Sequence, residues 1–108
     1  MKMTLFLLME ATPDWLRLSR EKRAAIAEPA LSNALAGLGA TARHFDAEAF
    51  HARVSDIAVL EAPSAKEAYF VMERLRDSPL IAEGYFRMTD IIPAFEDGFR
   101  QFEASEAP

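Results

Sequence analysis

The chain has 108 residues, with 12 Lys and Arg against 17 Asp and Glu, a formal net charge of −5 and no cysteine. A chain of this length forms one domain around a single core, burying roughly 60–70% of its unfolded surface, and a 51% apolar composition excludes a disordered or fibrous protein. Basic residues scattered singly in an acidic chain argue against a nucleic-acid partner, and the missing thiol excludes disulfides, a cysteine nucleophile and thiolate metal ligands.

The N-terminus carries Lys2 and then an apolar run that Glu10 interrupts and Thr12-Pro13-Asp14 follows. That run is too short for a membrane span and lacks a cleavage signature, so a cytoplasmic location is expected. Leu5 to Met9 reads as a strand buried on both faces. Thr12 and Pro13 start a short turn that ends near Leu18. Ser19 offers the N-cap of a longer helix on which Ala24, Ala27, Leu31, Leu35 and Leu38 share helical spacing. Pro29 is expected to kink it, and Gly37 and Gly39 to stop it.

Thr41 to Glu48 mixes polar and apolar residues like an edge strand, whereas Val54 to Glu61 is apolar like a central one. Ser64 and Glu67 form a capping-box pattern at the start of a helix with Ala68, Val71, Met72 and Leu75 on one face. That helix stops near Asp77-Ser78-Pro79. Gly84 to Ile92 reads as a last strand ended by Pro93, and Phe95, Phe99 and Phe102 mark a short C-terminal helix with one aromatic stripe.

Strand, helix, strand, strand, helix, strand is the ferredoxin-like βαββαβ order, an α+β fold with a four-stranded antiparallel sheet. The first and third strands belong in its middle, in keeping with their apolar character. Residues 1–104 form the domain and 105–108 a short disordered tail. With the second and fourth strands taken as antiparallel to the first and third, one end of the sheet gathers His44, Asp46, Arg53, Asp56 and Asp90. The other gathers Glu10, Thr12, Trp15, Glu61 and Tyr85.

His44 and Asp46 lie two apart and project to one face of a strand, a spacing that suits a carboxylate-held imidazole in acid–base work. Asp56 interrupts an apolar strand, where an unpaired carboxylate is costly, so it needs a partner, with Arg53 and Arg43 the nearest cations. His44, Asp46 and Asp56 are therefore the candidate catalytic residues. Trp15, Arg53, Tyr85 and Arg87 are the candidate ligand contacts, although each also has a structural reading as a packing anchor or ion-pair partner. His51 sits in a loop. His44 and His51, seven apart, match no metal-ligand spacing, and there is no phosphate loop, nucleophile elbow or zinc motif, so no metal and no cofactor are expected.

The stretches FLLMEATPDWLRLSREKR, HFDAEAFHARVSDIAVLEA, LRDSPLIAEGYF and TDIIPAFEDGFRQFE together resemble the darcynin family of small bacterial proteins. The similarity reaches from the first strand to Glu103. It implies a compact ferredoxin-like α+β domain and carries over no catalytic residue. A sheet of this kind pairs with a second copy as a dimeric α/β barrel that buries an apolar face. The expected function is a homodimer that binds a small organic ligand. The alternatives are a cofactor-independent isomerase or oxygenase using His44 with Asp46 or Asp56, and an interaction module whose Phe stripe docks a partner.

Overall fold

A computed structural model describes all 108 residues. The elements are β1 (Met3–Ala11), α1 (Pro13–Leu16), α2 (Arg20–Leu35), β2 (Thr41–Asp46), β3 (Asp56–Ala62), α3 (Ala65–Asp77), α4 (Pro79–Ala82), β4 (Phe86–Ala94) and α5 (Gly98–Glu106). The strands form one four-stranded antiparallel sheet in the order β2-β3-β1-β4, with the two most apolar strands inside as expected. The fold is ferredoxin-like.

The strand directions differ from expectation. β1 is antiparallel to β3 and to β4, and β3 is antiparallel to β2, so β1 and β2 run one way and β3 and β4 the other. Each helical crossover skips one strand and returns the chain in its original direction; only the β2–β3 hairpin reverses it. The ends of β1 and β2 therefore meet the starts of β3 and β4. Glu10, Thr12, Trp15, Tyr85 and Arg87 join His44, Asp46 and Asp56 at one end of the sheet. Glu61 stays at the far end, paired with Thr4 and Thr41, and Asp90 lies mid-sheet opposite Leu8.

All the helices that pack on the sheet lie on one side. Leu5 and Leu7 of β1, with Ala58, Leu60 and Ala62 of β3, point there and meet Ala68, Val71 and Leu75 of α3. Leu7 and Val71 are fully buried. The opposite face lacks the core helices and is covered only in part: Thr4 and Val59 are buried there, while Phe6, Phe45 and Ile92 stand exposed. The expected two-sided burial of β1 is met only in part within a single chain, at Thr4 and not at Phe6.

Local signals explain most element ends. Ser19 Oγ accepts a hydrogen bond from the Lys22 amide at 3.2 Å, and α2 continues through Pro29. Gly39, at φ +64°, turns the chain toward β2, and a Cβ there would come within 3.2 Å of the Pro63 ring. At Ser64 the expected reciprocal box is replaced by a bond from its hydroxyl to the Glu67 carboxylate, which holds Glu67 below the ordinary carboxyl pKa. β4 runs through Pro93, which an edge strand tolerates, to Ala94. A bulge leaves Thr89 unpaired between Leu8 and Met9, and its hydroxyl donates to the Leu8 carbonyl at 3.0 Å. The short α4 was not anticipated. The C-terminal helix starts only at Gly98, after Phe95, extends past 104 to Glu106 and buries none of its residues; Phe95, Phe99 and Phe102 are all exposed.

Candidate functional site

α2 packs on α3 and α4 more closely than on the sheet. Its sheet-facing side is small: Ala24 and Ala27 stand where larger side chains would fill the gap. The face expected to seal the core instead roofs a cleft of about 700 Å³, within the ~300–1,000 Å³ typical of small-ligand sites. Its walls are mainly apolar, with Met9, Trp15, Leu31, Leu60, Leu80 and Phe86 among them, while His44, Asp46, Ser55 and Asp56 line its polar side.

The cross-strand register assembles that polar side. Asp46 lies directly opposite Asp56, and His44 two residues earlier reaches the same carboxylate. His44 Nε2 is 2.7 Å from Asp56 Oδ1 and 3.9 Å from Asp46 Oδ1. Asp56 Oδ2 accepts from Ser55 Oγ at 2.6 Å, and Ser55 Oγ accepts from the Ala11 amide at 2.7 Å. The Asp56 side chain is 14% exposed and that of His44 53%, so a mostly buried carboxylate holds an imidazole that solvent or ligand can reach. Donor atoms of His44, Asp46 and Asp56 lie within 4.8 Å of one another, a nitrogen and two oxygens that a divalent cation could take. Spacing along the chain conceals this set because it spans two strands.

The expected ligand contacts divide. Trp15 is buried in the cleft wall, its ring centroid 4.9 Å from Phe86 and 5.4 Å from Tyr85. Tyr85 supports Trp15 from behind without lining the cleft, and its backbone carbonyl accepts from the Thr12 hydroxyl and amide. Arg53 is exposed in the β2–β3 loop and does not reach Asp56, whose partner is His44. Arg87 pairs with Glu10 at 2.6 Å on the opposite sheet face. His51 is not a free imidazole: Nδ1 accepts from the Val54 amide at 2.8 Å and the Arg53 amide at 3.2 Å, closing the loop before β3. Asp90 lies away from the cleft, its Oδ1 accepting from the Ile91 amide.

Arg23 and Phe86 line the cleft without having been singled out from the sequence. Arg23 Nε donates to the Trp15 carbonyl at 3.1 Å and Nη2 to the Leu16 carbonyl at 2.8 Å, so it closes the C-terminal end of α1. The Arg20-Glu21-Lys22-Arg23 run reads as a solvated first turn, and only the position of α1 makes one of its members part of a wall.

Fold and site define a ferredoxin-like α+β domain with a mainly apolar cleft between sheet and helices and a His–Asp pair on one wall. A family model described as Darcynin, domain of unknown function, matches residues 1–107, and the chain belongs to this family. It is 55% identical over 65 residues to Darcynin of Chromobacterium violaceum, covering 60% of this chain and 82% of that protein. It is 40% identical over 88 residues to Darcynin 1 of Acinetobacter baumannii, covering 81% and 98%. Among solved structures it is similar to chlorite dismutase from Candidatus Nitrospira defluvii. The complex of that enzyme with imidazole matches with a TM-score of 0.69 at 11% identity, over 85% of this chain and 38% of that one. A mutant of it matches with a TM-score of 0.68 at 10% identity, over 95% and 47%. The chain thus spans less than half the length of these solved chains, and at such identity the likeness is one of fold.

Proposed function

We propose that the protein is a homodimer that binds a small, largely apolar organic molecule in the cleft between α2 and the sheet. The observation that carries this reading is the cleft itself: about 700 Å³ of space in a domain of 12.0 kDa, with apolar walls and a few convergent polar groups. Ala24 and Ala27 leave this space open beneath α2, and the open apolar space is what supports a ligand.

The dimer is supported by the helix-free sheet face. Leu5 to Met9 and Ile57 to Leu60 are apolar in consecutive positions, a pattern suited to strands covered on both sides, and a second copy would cover Phe6, Phe45 and Ile92. A role in protein docking is favoured separately by the exposed Phe99 and Phe102 of α5 and by Phe95 just before it. If α5 docks a second copy or another protein, Phe99→Ser removes that species from light-scattering or pull-down measurements while the melting temperature holds.

Trp15 is the chain's one tryptophan and stands in the cleft wall, so its fluorescence reports occupancy. Titration with a panel of aromatic and alicyclic molecules is expected to change that emission and raise the melting temperature together. A panel in which nothing moves either signal at millimolar concentration would sink the binding reading.

A further inference from the structure

Resting on that reading of the cleft, we propose that the site is catalytic: His44 is a general base that moves a proton along a bound enolisable carbonyl compound, with Arg23 holding its negative charge. An ionised carboxylate only accepts hydrogen bonds, so across the 2.7 Å contact Nε2 donates to Asp56 Oδ1, and in the neutral imidazole the lone pair is then on Nδ1. Asp56 is committed on both oxygens, to His44 and to Ser55, and Ser55 is tied to the backbone of β1. The imidazole is therefore oriented through two further residues and three strands, the arrangement that fixes a base rather than merely solvating it.

The second requirement of such chemistry is a place for the charge that develops on oxygen. The Arg23 guanidinium meets only the neutral carbonyls of Trp15 and Leu16 and pairs with no carboxylate, so it is a positioned, uncompensated cation on the cleft wall. Glu28, Asp46, Glu48 and Asp56 also line the cleft and repel an anion. Arg43, the other cation of the lining, holds its guanidinium 5.5 Å from the Phe45 ring on the strand face away from His44, so the negative end of a ligand is directed toward Arg23. Trp15 and Phe86 supply an apolar wall for an aromatic or alicyclic body.

The step balances without a co-reactant. His44 Nδ1 takes a proton from the carbon next to the carbonyl, the C–H electron pair becomes a C=C bond, and the carbonyl π pair moves to oxygen as an enolate beside Arg23. The imidazolium then returns the proton to that oxygen or to another carbon of the conjugated system, which yields a tautomer or double-bond isomer and restores neutral His44. Nothing is oxidised or reduced. His44 is the catalytic residue, and Asp56 and Ser55 are positioning residues.

Two probes share a benzylic CH2 next to a carbonyl and differ in the group beyond it, a neutral methyl in 1-phenyl-2-propanone and a carboxylate in phenylpyruvate. Each is incubated with the protein in D2O buffer containing EDTA, and loss of the benzylic proton signal is followed by NMR. The wild type is expected to accelerate exchange of both over buffer, by about a hundredfold or more. His44→Ala and His44→Gln fall to the buffer rate, Asp56→Asn lowers the saturating rate with an unchanged half-saturation concentration, and Arg23→Gln slows exchange of both probes, because the enolate oxygen forms beside Arg23 in each. If Trp15 fluorescence shows both probes bound while exchange stays at the buffer rate, or His44→Ala exchanges like the wild type, the base is overturned and the binding reading stands. Exchange that appears only when the EDTA is replaced by Zn²⁺ overturns it in favour of a metal held by His44, Asp46 and Asp56. If neither probe changes Trp15 emission or exchanges, this ligand class is excluded and the base with it, while the wider ligand panel still decides the binding reading.

Discussion

His44 and Asp56 lie on adjacent antiparallel strands, offset by two residues, and meet at 2.7 Å because Asp46, not His44, is the direct cross-strand partner of Asp56. Two carboxylates opposite one another repel, and the imidazole beside them supplies the hydrogen bond that lets Asp56 sit 14% exposed. The pair therefore links a stability term to a site.

The two members are expected to couple in urea unfolding. Asp56→Ala costs about 1–3 kcal/mol, since it strands Ser55 and His44, and His44→Ala costs less because its ring is half in solvent. The double variant loses less than the sum, by about 0.5–3 kcal/mol. Strict additivity of the two single costs would show that the contact carries no energy in solution.

The Ser64 bond to Glu67 has a pH signature. Glu67 is held below its ordinary value of 4.5, so the stabilisation is present above that pH in the folded protein and is lost as pH falls through 4.5 toward the lowered folded value. Ser64→Ala is thus expected to be less stable than the wild type at pH 7, and the gap should be smaller at about pH 3. A gap that is equal at both values would assign the loss to something other than the carboxylate.

Leu7 has no exposed surface at the centre of β1, where side chains from β3 and α3 surround it. Leu7→Ala is expected to cost about 3 kcal/mol by chemical denaturation, from lost burial plus the cavity left behind. A cost under about 1 kcal/mol would mean that the helices collapse into the space.

Phe6 is 37% exposed on the helix-free face, where a second copy would cover it. Light scattering of the wild type should give about twice the 12.0 kDa chain mass, and Phe6→Arg should return it to the single-chain value with little change in far-UV circular dichroism. A wild type that is monomeric at micromolar concentration would remove the dimer.

Gly39→Ala tests the turn into β2. The residue has φ +64°, and a methyl group would press within 3.2 Å of Pro63, so a loss of about 1–2 kcal/mol is expected. The same change at Gly37, also at positive φ but with no heavy atom within 4 Å of the added carbon, should cost less by about the packing part.

Much of this protein is written in local signals. The apolar runs of β1 and β3, the Ser19 cap, the glycines after α2 and the α3 face all depend on residues a few positions apart, so period and capping chemistry read them directly. The family was legible for the same reason, since its motifs are contiguous strings. His44, Asp46, Asp56 and Trp15 were also recognisable as chemistry-bearing residues. Arg23 was not, because nothing near it in the chain distinguishes it from Arg20.

The amino-acid sequence by itself determined the four strands, the two long helices between them, their order, and which strands are central, because hydrophobic patterning is a property of neighbours along the chain. Only the tertiary structure decided which end of each strand faces which. That placed Trp15 and Phe86 across one cleft from His44, paired Asp56 with an imidazole and not with Arg53, and sent Arg87 to the other face. The physical reason is that these relations depend on crossover direction and cross-strand register, where reversing one strand or shifting it by a single residue exchanges ends or faces at no cost visible in the local sequence.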